Sequence, residues 1–193
     1  GDVNGDGYGD VLVGAFLYDH LVTDTGAAWL YYGRASGVTA AAAWDYMPSQ
    51  STAYLGQCVA PAGDANGDGY ADLAIGAPSY THAQANEGLA AIFYGSADGP
   101  GLGPDLYWFG GQANAFLGNS VVTAGDVDGD GFSELVAGAY SYDDGYADEG
   151  EVFLFRGSAG ELRQVADWKA DGPLADAAWG HAVAFGDFNG DGF

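Results

Sequence analysis

Basic residues are nearly missing from this chain: 4 Lys and Arg stand against 27 Asp and Glu, for a formal net charge of −23 and a pI near 4.1. Such a surface repels phosphate backbones and anionic headgroups, which excludes nucleic-acid binding and polybasic membrane attachment. Cysteine occurs once, at Cys58, so neither an internal disulfide nor a multi-cysteine metal site can form. Proline is scarce, at 6 residues, which removes collagen-like and proline-rich linker structures. No run of 18 apolar residues exists, so no segment reads as a transmembrane helix. What is abundant is glycine (34 of 193 residues) and, for so charged a chain, apolar (48%) and aromatic (15%) residues. That content is far above a disordered composition and is enough for a sizeable core.

The glycines are periodic. Gly-Asp-Val-Asn-Gly-Asp-Gly-Tyr begins at Gly1, and closely similar octets begin at Gly63, Gly125 and Gly186, at spacings of 62, 62 and 61. The same register links Gly14, Gly76 and Gly138; Tyr18, Tyr80 and Tyr142; Gly33, Gly95 and Gly157; and Gly56, Gly118 and Gly180. A fixed period of this length marks a repeat architecture. Within the middle copy, short apolar runs at 56–60, 73–75, 89–94 and 106–109 are separated by turn signals and read as four antiparallel strands. No stretch of 10–12 residues keeps a helical period free of glycine or turn clusters.

Runs such as Val11-Leu-Val13, Trp29-Leu-Tyr-Tyr32 and Val152-Phe-Leu-Phe155 are apolar on both strand faces. Such sheets must stack against neighbouring sheets, so the expectation is an all-β fold of β-propeller blades. A two-sheet sandwich is the alternative, but it gives no reason for one register in every copy. The phase predicts a partial blade lacking strand one at 1–53, whole blades at 54–115 and 116–177, and the start of a further blade at 178–193. Closed propellers have roughly four to eight blades, so the ring is expected to be incomplete and the chain a slice of a longer protein.

Each octet continues into a loop with oxygen-bearing side chains at alternate positions. Asp64, Asn66, Asp68 and Asp72 fill positions 1, 3, 5 and 9, with the Tyr70 carbonyl at position 7. Asp2, Asn4, Asp6, Tyr8 and Asp10 form the first such loop, and Asp126, Asp128, Asp130, Phe132 and Glu134 the third. Asp187, Asn189 and Asp191 begin a fourth. Alternating hard oxygens on a tightly curled loop converge on one point and suit Ca²⁺, which accepts 6–8 irregular ligands. Asp, Asn and Gly also populate ordinary turns; four loops in register favour the metal. An EF-hand is excluded, because position 12 is Val13, Ile75 or Ala137, where a carboxylate and an exit helix would be needed.

This loop, followed by apolar residues and Gly76-Ala77-Pro78, resembles an FG-GAP repeat of the kind found in integrin α-chain β-propellers, and the likeness covers essentially the whole chain. Gly14-Ala15-Phe16 and Gly138-Ala139-Tyr140 depart at the proline, and Leu55-Gly56, Leu117-Gly118 and Trp179-Gly180 replace the FG phenylalanine. The resemblance implies a Ca²⁺ loop joining strands one and two of each blade, and a partner-binding face built from the loops at 16–25, 78–87 and 140–149. Tyr18, Tyr80, His82 and Tyr142 are the candidate contacts there, although the recurrence of the tyrosines also fits a bracing role.

No catalytic motif is present: Gly-x-Ser-x-Gly, His-Glu-x-x-His and a phosphate loop ending in Gly-Lys are all missing. His20 and His82 read as loop residues and Cys58 as a packed thiol. The expected function is a non-catalytic, calcium-stabilised binding or adhesion module of a secreted or cell-surface protein, with a protein or glycan partner. The alternative is a propeller attached to an extracellular enzyme, such as a lyase or phospholipase, encoded elsewhere in the full chain.

Overall fold

The computed structural model describes residues 1–186, which contain thirteen strands and no helix. The strands are β1 (Val11–Ala15), β2 (Ala27–Tyr31), β3 (Gly33–Arg34), β4 (Gly37–Val38), β5 (Trp44–Tyr46), β6 (Cys58–Gly63), β7 (Asp72–Ala77), β8 (Leu89–Phe93), β9 (Leu106–Phe109), β10 (Leu117–Gly125), β11 (Glu134–Ala139), β12 (Glu151–Phe155) and β13 (Trp168–Asp171). They form antiparallel meanders in chain order: β1-β2-β5, β6-β7-β8-β9 and β10-β11-β12-β13, with β3-β4 a small separate ribbon. No strand is exchanged between sheets, as a sandwich would require. The sheets are β-propeller blades.

Both faces of the middle sheet are buried, and the two-residue strand period divides its side chains between two cores. Leu73, Ile75 and Ala77 of β7, with Leu89, Ala91 and Phe93 of β8, pack with Ala28, Leu30 and Trp44 of the first sheet. Ala74, Ala90 and Ile92 point the other way, into a core with Leu117, Val121, Leu135 and Phe153 of the third sheet. The apolar runs lack alternation because each residue meets one neighbour sheet or the other.

Where the chain crosses between sheets it uses the left-handed region. Tyr54 and Phe116 have φ of 56° each, and Gly56 and Gly118 follow at 82° and 85°. Leu55 donates its N–H to the Thr25 carbonyl, and Leu117 repeats the bond with Glu87. Residues 56 and 57 therefore belong to a crossover, and strand one of the middle sheet begins at Cys58, later than the apolar pattern predicts. Just beyond the crossover, Gln57 Nε2 donates to Asn119 Oδ1 at 2.9 Å. Asn119 Nδ2 donates to the His181 carbonyl, also at 2.9 Å. These residues share one register position, so the bonds form a ladder from each repeat to the next.

Candidate functional site

The three described acidic loops are built alike. In the second, Asp64 Oδ1 accepts the Gly67 and Asp68 N–H groups at 2.8 and 3.0 Å, and Asp64 Oδ2 accepts that of Gly69 at 3.0 Å. The Asp68 N–H is shared with Asn66 Oδ1, again at 3.0 Å, which draws the oxygens of positions 1 and 3 together. Asp68 Oδ1 accepts the Tyr70 N–H at 2.9 Å. The turn needs positive φ at Gly67 (75°) and Gly69 (91°), a region open to glycine and costly for residues with a Cβ. The first loop repeats the sharing, with Asp6 N–H on Asp2 Oδ1 and Asn4 Oδ1, both at 3.1 Å. In the third loop, Asp130 N–H is shared by Asp126 Oδ1 and Asp128 Oδ1.

Asp126, Asp128 and Asp130 each offer a carboxylate oxygen, all within 4.8 Å of one another. In the first two loops an amide oxygen stands in place of the middle carboxylate. Converging hard oxygens with no imidazole or thiolate among them fit an alkaline-earth cation better than a transition metal. Asp187, Asn189 and Asp191 lie outside the described residues.

Position nine also has a second task. Asp72 is buried; its Oδ2 accepts the Ala65 N–H at 2.9 Å and its Oδ1 the Gly95 N–H at 3.0 Å. Asp10 makes the matching pair with Val3 and Gly33, both at 2.8 Å. Glu134 accepts the Val127 N–H at 2.7 Å, while its Oε1 is buried without a partner among the described residues. Asp10 and Asp72 thus each clasp the start of their loop to the glycine two residues beyond β2 or β8, whereas Glu134 holds only the loop start. Burial pushes the Asp72 carboxyl up to about 7, opposed by those two N–H groups and aided by the charges of Asp68 and Asp64. Glu134 is raised for the same first reason.

The aromatic at position seven packs on the preceding loop. A Cβ on Gly5 would lie 2.7 Å from the Tyr70 ring, and one on Gly67 would overlap that of Phe132. These inter-loop contacts, and the clasp to Gly33 and Gly95, were missing from the sequence reading; the in-register glycines were their only trace.

The second cluster lies in the loops after strand two. Tyr18 meets Trp29 edge-on at 5.0 Å, and Tyr142 meets Phe153 at 5.7 Å. Tyr80 stacks on Phe109 at 6.0 Å, and His82 lies nearly parallel to the same ring at 4.2 Å. Tyr46, Tyr80, His82 and Tyr107 share a cavity of about 240 Å³ with Phe109. His20 is exposed. Beneath the second loop is Glu87, 1% exposed, whose Oε1 accepts the His82 and Ala83 N–H groups at 2.9 and 2.5 Å. Its Oε2 accepts the Gly111 N–H at 3.2 Å. Burial pushes the Glu87 carboxyl up, but the backbone donors outweigh it and hold it below the ordinary value. Glu149 plays the same part under the third loop, held low first by the Gly145 and Tyr146 N–H groups. Cys58 is half-buried, with its Sγ accepting the Val121 N–H at 3.3 Å.

Comparison with known proteins agrees with the repeated sheets. The model of the FG-GAP repeat matches residues 59–93 and 117–155, and that of the FG-GAP-like repeat matches residues 2–75. Integrin alpha-IIb of Mus musculus is 33% identical over 147 residues, 72% of this chain and 14% of its own length. Integrin alpha-5 of Xenopus laevis is 31% identical over 160 residues, 74% of this chain and 14% of its own length. Integrin alpha-PS2 of Drosophila melanogaster is 31% identical over 168 residues, 80% of this chain and 11% of its own length. The chain thus spans a small part of the length of these relatives, and it belongs to the FG-GAP repeat family as an integrin alpha-like member.

Proposed function

We propose that this chain is a calcium-stabilised binding module of a secreted or cell-surface protein, non-catalytic, recognising a protein or glycan partner through the loops at 16–25, 78–87 and 140–149. The observation that carries the reading is the recurrence, at one register, of loops whose oxygens at positions 1, 3 and 5 converge. Carboxylates about 5 Å apart repel by roughly 3 kcal/mol at an effective dielectric near 20, and a divalent cation relieves that repulsion. Asp2, Asn4, Asp6, Asp64, Asn66, Asp68, Asp126, Asp128 and Asp130 would hold the ion by their side chains, with the carbonyls of Tyr8, Tyr70 and Phe132 completing the set. Asp10, Asp72 and Glu134 would join it or anchor the loop beside it. The bound cation would supply charge neutralisation and a fixed loop shape.

The partner face is inferred from exposed Tyr18 and His82 on preorganised loops that half-buried Tyr80 and Tyr142 anchor to the cores, since binding residues concentrate on loops held by a rigid scaffold. Integrin alpha relatives give the extracellular setting its support. The test is binding of the chain to an array of matrix proteins and glycans, with and without calcium, for wild type and His82→Ala. Calcium-dependent capture, weakened in His82→Ala with an unchanged melt, supports the reading. Calcium-independent capture unaffected by the substitution refutes it.

A further inference from the structure

The third acidic loop departs from the first two at two register positions at once. Asn4 and Asn66 give way to Asp128, and Tyr32 and Tyr94 give way to Arg156. The tyrosine position borders the acidic loop of its own repeat: beside burial, the charges of Asp10 and Asp6 raise Tyr32, and that of Asp72 raises Tyr94. In the first two loops the asparagine amide does a specific job. Asn4 Nδ2 donates to Asp6 Oδ2 at 3.1 Å, and Asn66 Nδ2 to Asp68 Oδ2 at 2.9 Å. Asp128 cannot donate, and its second oxygen would face Asp130 with like charge. Instead Arg156 Nη1 lies 2.6 Å from Asp128 Oδ2. The ligand positions of the first two loops carry three acids each and those of the third carry four, so one guanidinium restores the same formal charge.

We propose that Arg156 is a resident counter-cation of the third loop: a positioning residue that replaces the lost amide donor and lowers both that loop's need for calcium and its affinity for it. The proposal rests on the calcium reading above. An isolated surface ion pair contributes little; this one is distinguished by its coupling to the Asn-to-Asp change on the same loop. Removing the guanidinium leaves four carboxylates with no internal cation. The metal-free loop then repels itself more strongly and attracts a divalent ion more strongly.

The test is a calcium titration of the 193-residue chain followed by the amide resonances of Gly129 and Gly131 in the third loop and of Gly67 and Gly69 in the second, with thermal melts in chelator. Arg156→Tyr, which installs the residue of the other repeats, should tighten the third-loop midpoint by roughly tenfold and lower the chelated melt by about 2–4 °C. The second-loop midpoint should stay fixed. Adding Asp128→Asn should bring both values back towards those of the second loop. Arg156→Lys, which keeps the charge, should retain the wild-type midpoint; movement as large as that of Arg156→Tyr would assign the effect to packing and overturn the proposal. Loops that respond to calcium with a third-loop midpoint indifferent to Arg156→Tyr would overturn the proposal alone. Loop glycines that ignore calcium altogether would remove the calcium reading and this inference with it.

Discussion

Gly76 and Gly118 touch backbone to backbone: a Cβ on Gly76 would overlap the carbonyl oxygen of Gly118. The same overlap joins Gly14 to Gly56 and Gly138 to Gly180, so the glycine that closes strand two of one repeat seats the glycine of the following crossover. This contact is the physical reason for both glycines in the repeat signature. It sets the spacing at which adjacent sheets bury their faces.

Gly76→Ala is expected to cost about 1–3 kcal/mol or more, because backbone cannot yield as a flexible side chain can. Gly103→Ala is the control: its Cβ would meet nothing within 4 Å. Circular-dichroism melts should show a large fall for the first and almost none for the second. Equal melts would mean that the sheets can separate at no cost.

Chelation should lower the melting temperature by about 5–10 °C if calcium is present at a hundred times its dissociation constant. Asp68→Ala, which removes the acceptor for the Tyr70 N–H and the Asn66 amide, should lose stability and much of this calcium response. A melt indifferent to chelator, in wild type, would end the calcium reading.

Glu87→Gln tests the loop beneath Tyr80 and His82. Hydrogen bonds to a charged acceptor contribute about 1.5–3 kcal/mol each, so the neutral isostere should melt several degrees lower at pH 7. Because the folded Glu87 is held below its unfolded value, its contribution is present above the unfolded pKa and is lost as pH falls through the folded one. The gap between wild type and Glu87→Gln should therefore close on acidification below about pH 4. A gap that widens there would reverse the assignment.

Lys169 Nζ pairs with Glu151 Oε1 at 3.0 Å and lies 4.7 Å over the Phe153 ring. Burial raises Glu151, and Lys169 offsets it. Lys169→Met removes the offset, so the folded Glu151 pKa rises further above its unfolded value. The resulting penalty is small at low pH and grows as pH rises through the folded pKa. Denaturant melts of the two proteins at pH 5 and pH 8 should show the larger difference at pH 8.

The all-β class and the four-strand repeat were legible because the 62-residue register repeats every punctuating glycine. Strand one of the middle sheet was placed two residues early, since Gly56 and Gln57 look like the start of a β run until the crossover geometry is seen. The acids of the loops announced themselves by alternate spacing. The direction of Asp72 did not, because its Gly95 donor lies 23 residues away and pairs through a backbone N–H that carries no sequence identity. Glu87 and Glu149 escaped notice for a related reason: a glutamate inside a polar loop looks solvated, and only the curl of the loop around it reveals a buried acceptor. Arg156 was hidden because the period draws attention to what recurs, whereas its meaning lies in a joint departure with Asp128.

The ladder from Gln57 through Asn119 to the His181 carbonyl gives the array a sense of direction. Asn119 accepts from Gln57 behind it and donates to the His181 carbonyl ahead, so both seams it borders are crossed by an amide donor pointing the same way. A genetic duplication or deletion of one full period would rejoin edges of the same register, provided that it kept Asp128 together with Arg156. Changes by a whole period therefore preserve the direction of these seams, whereas the loss of a single residue must be absorbed locally.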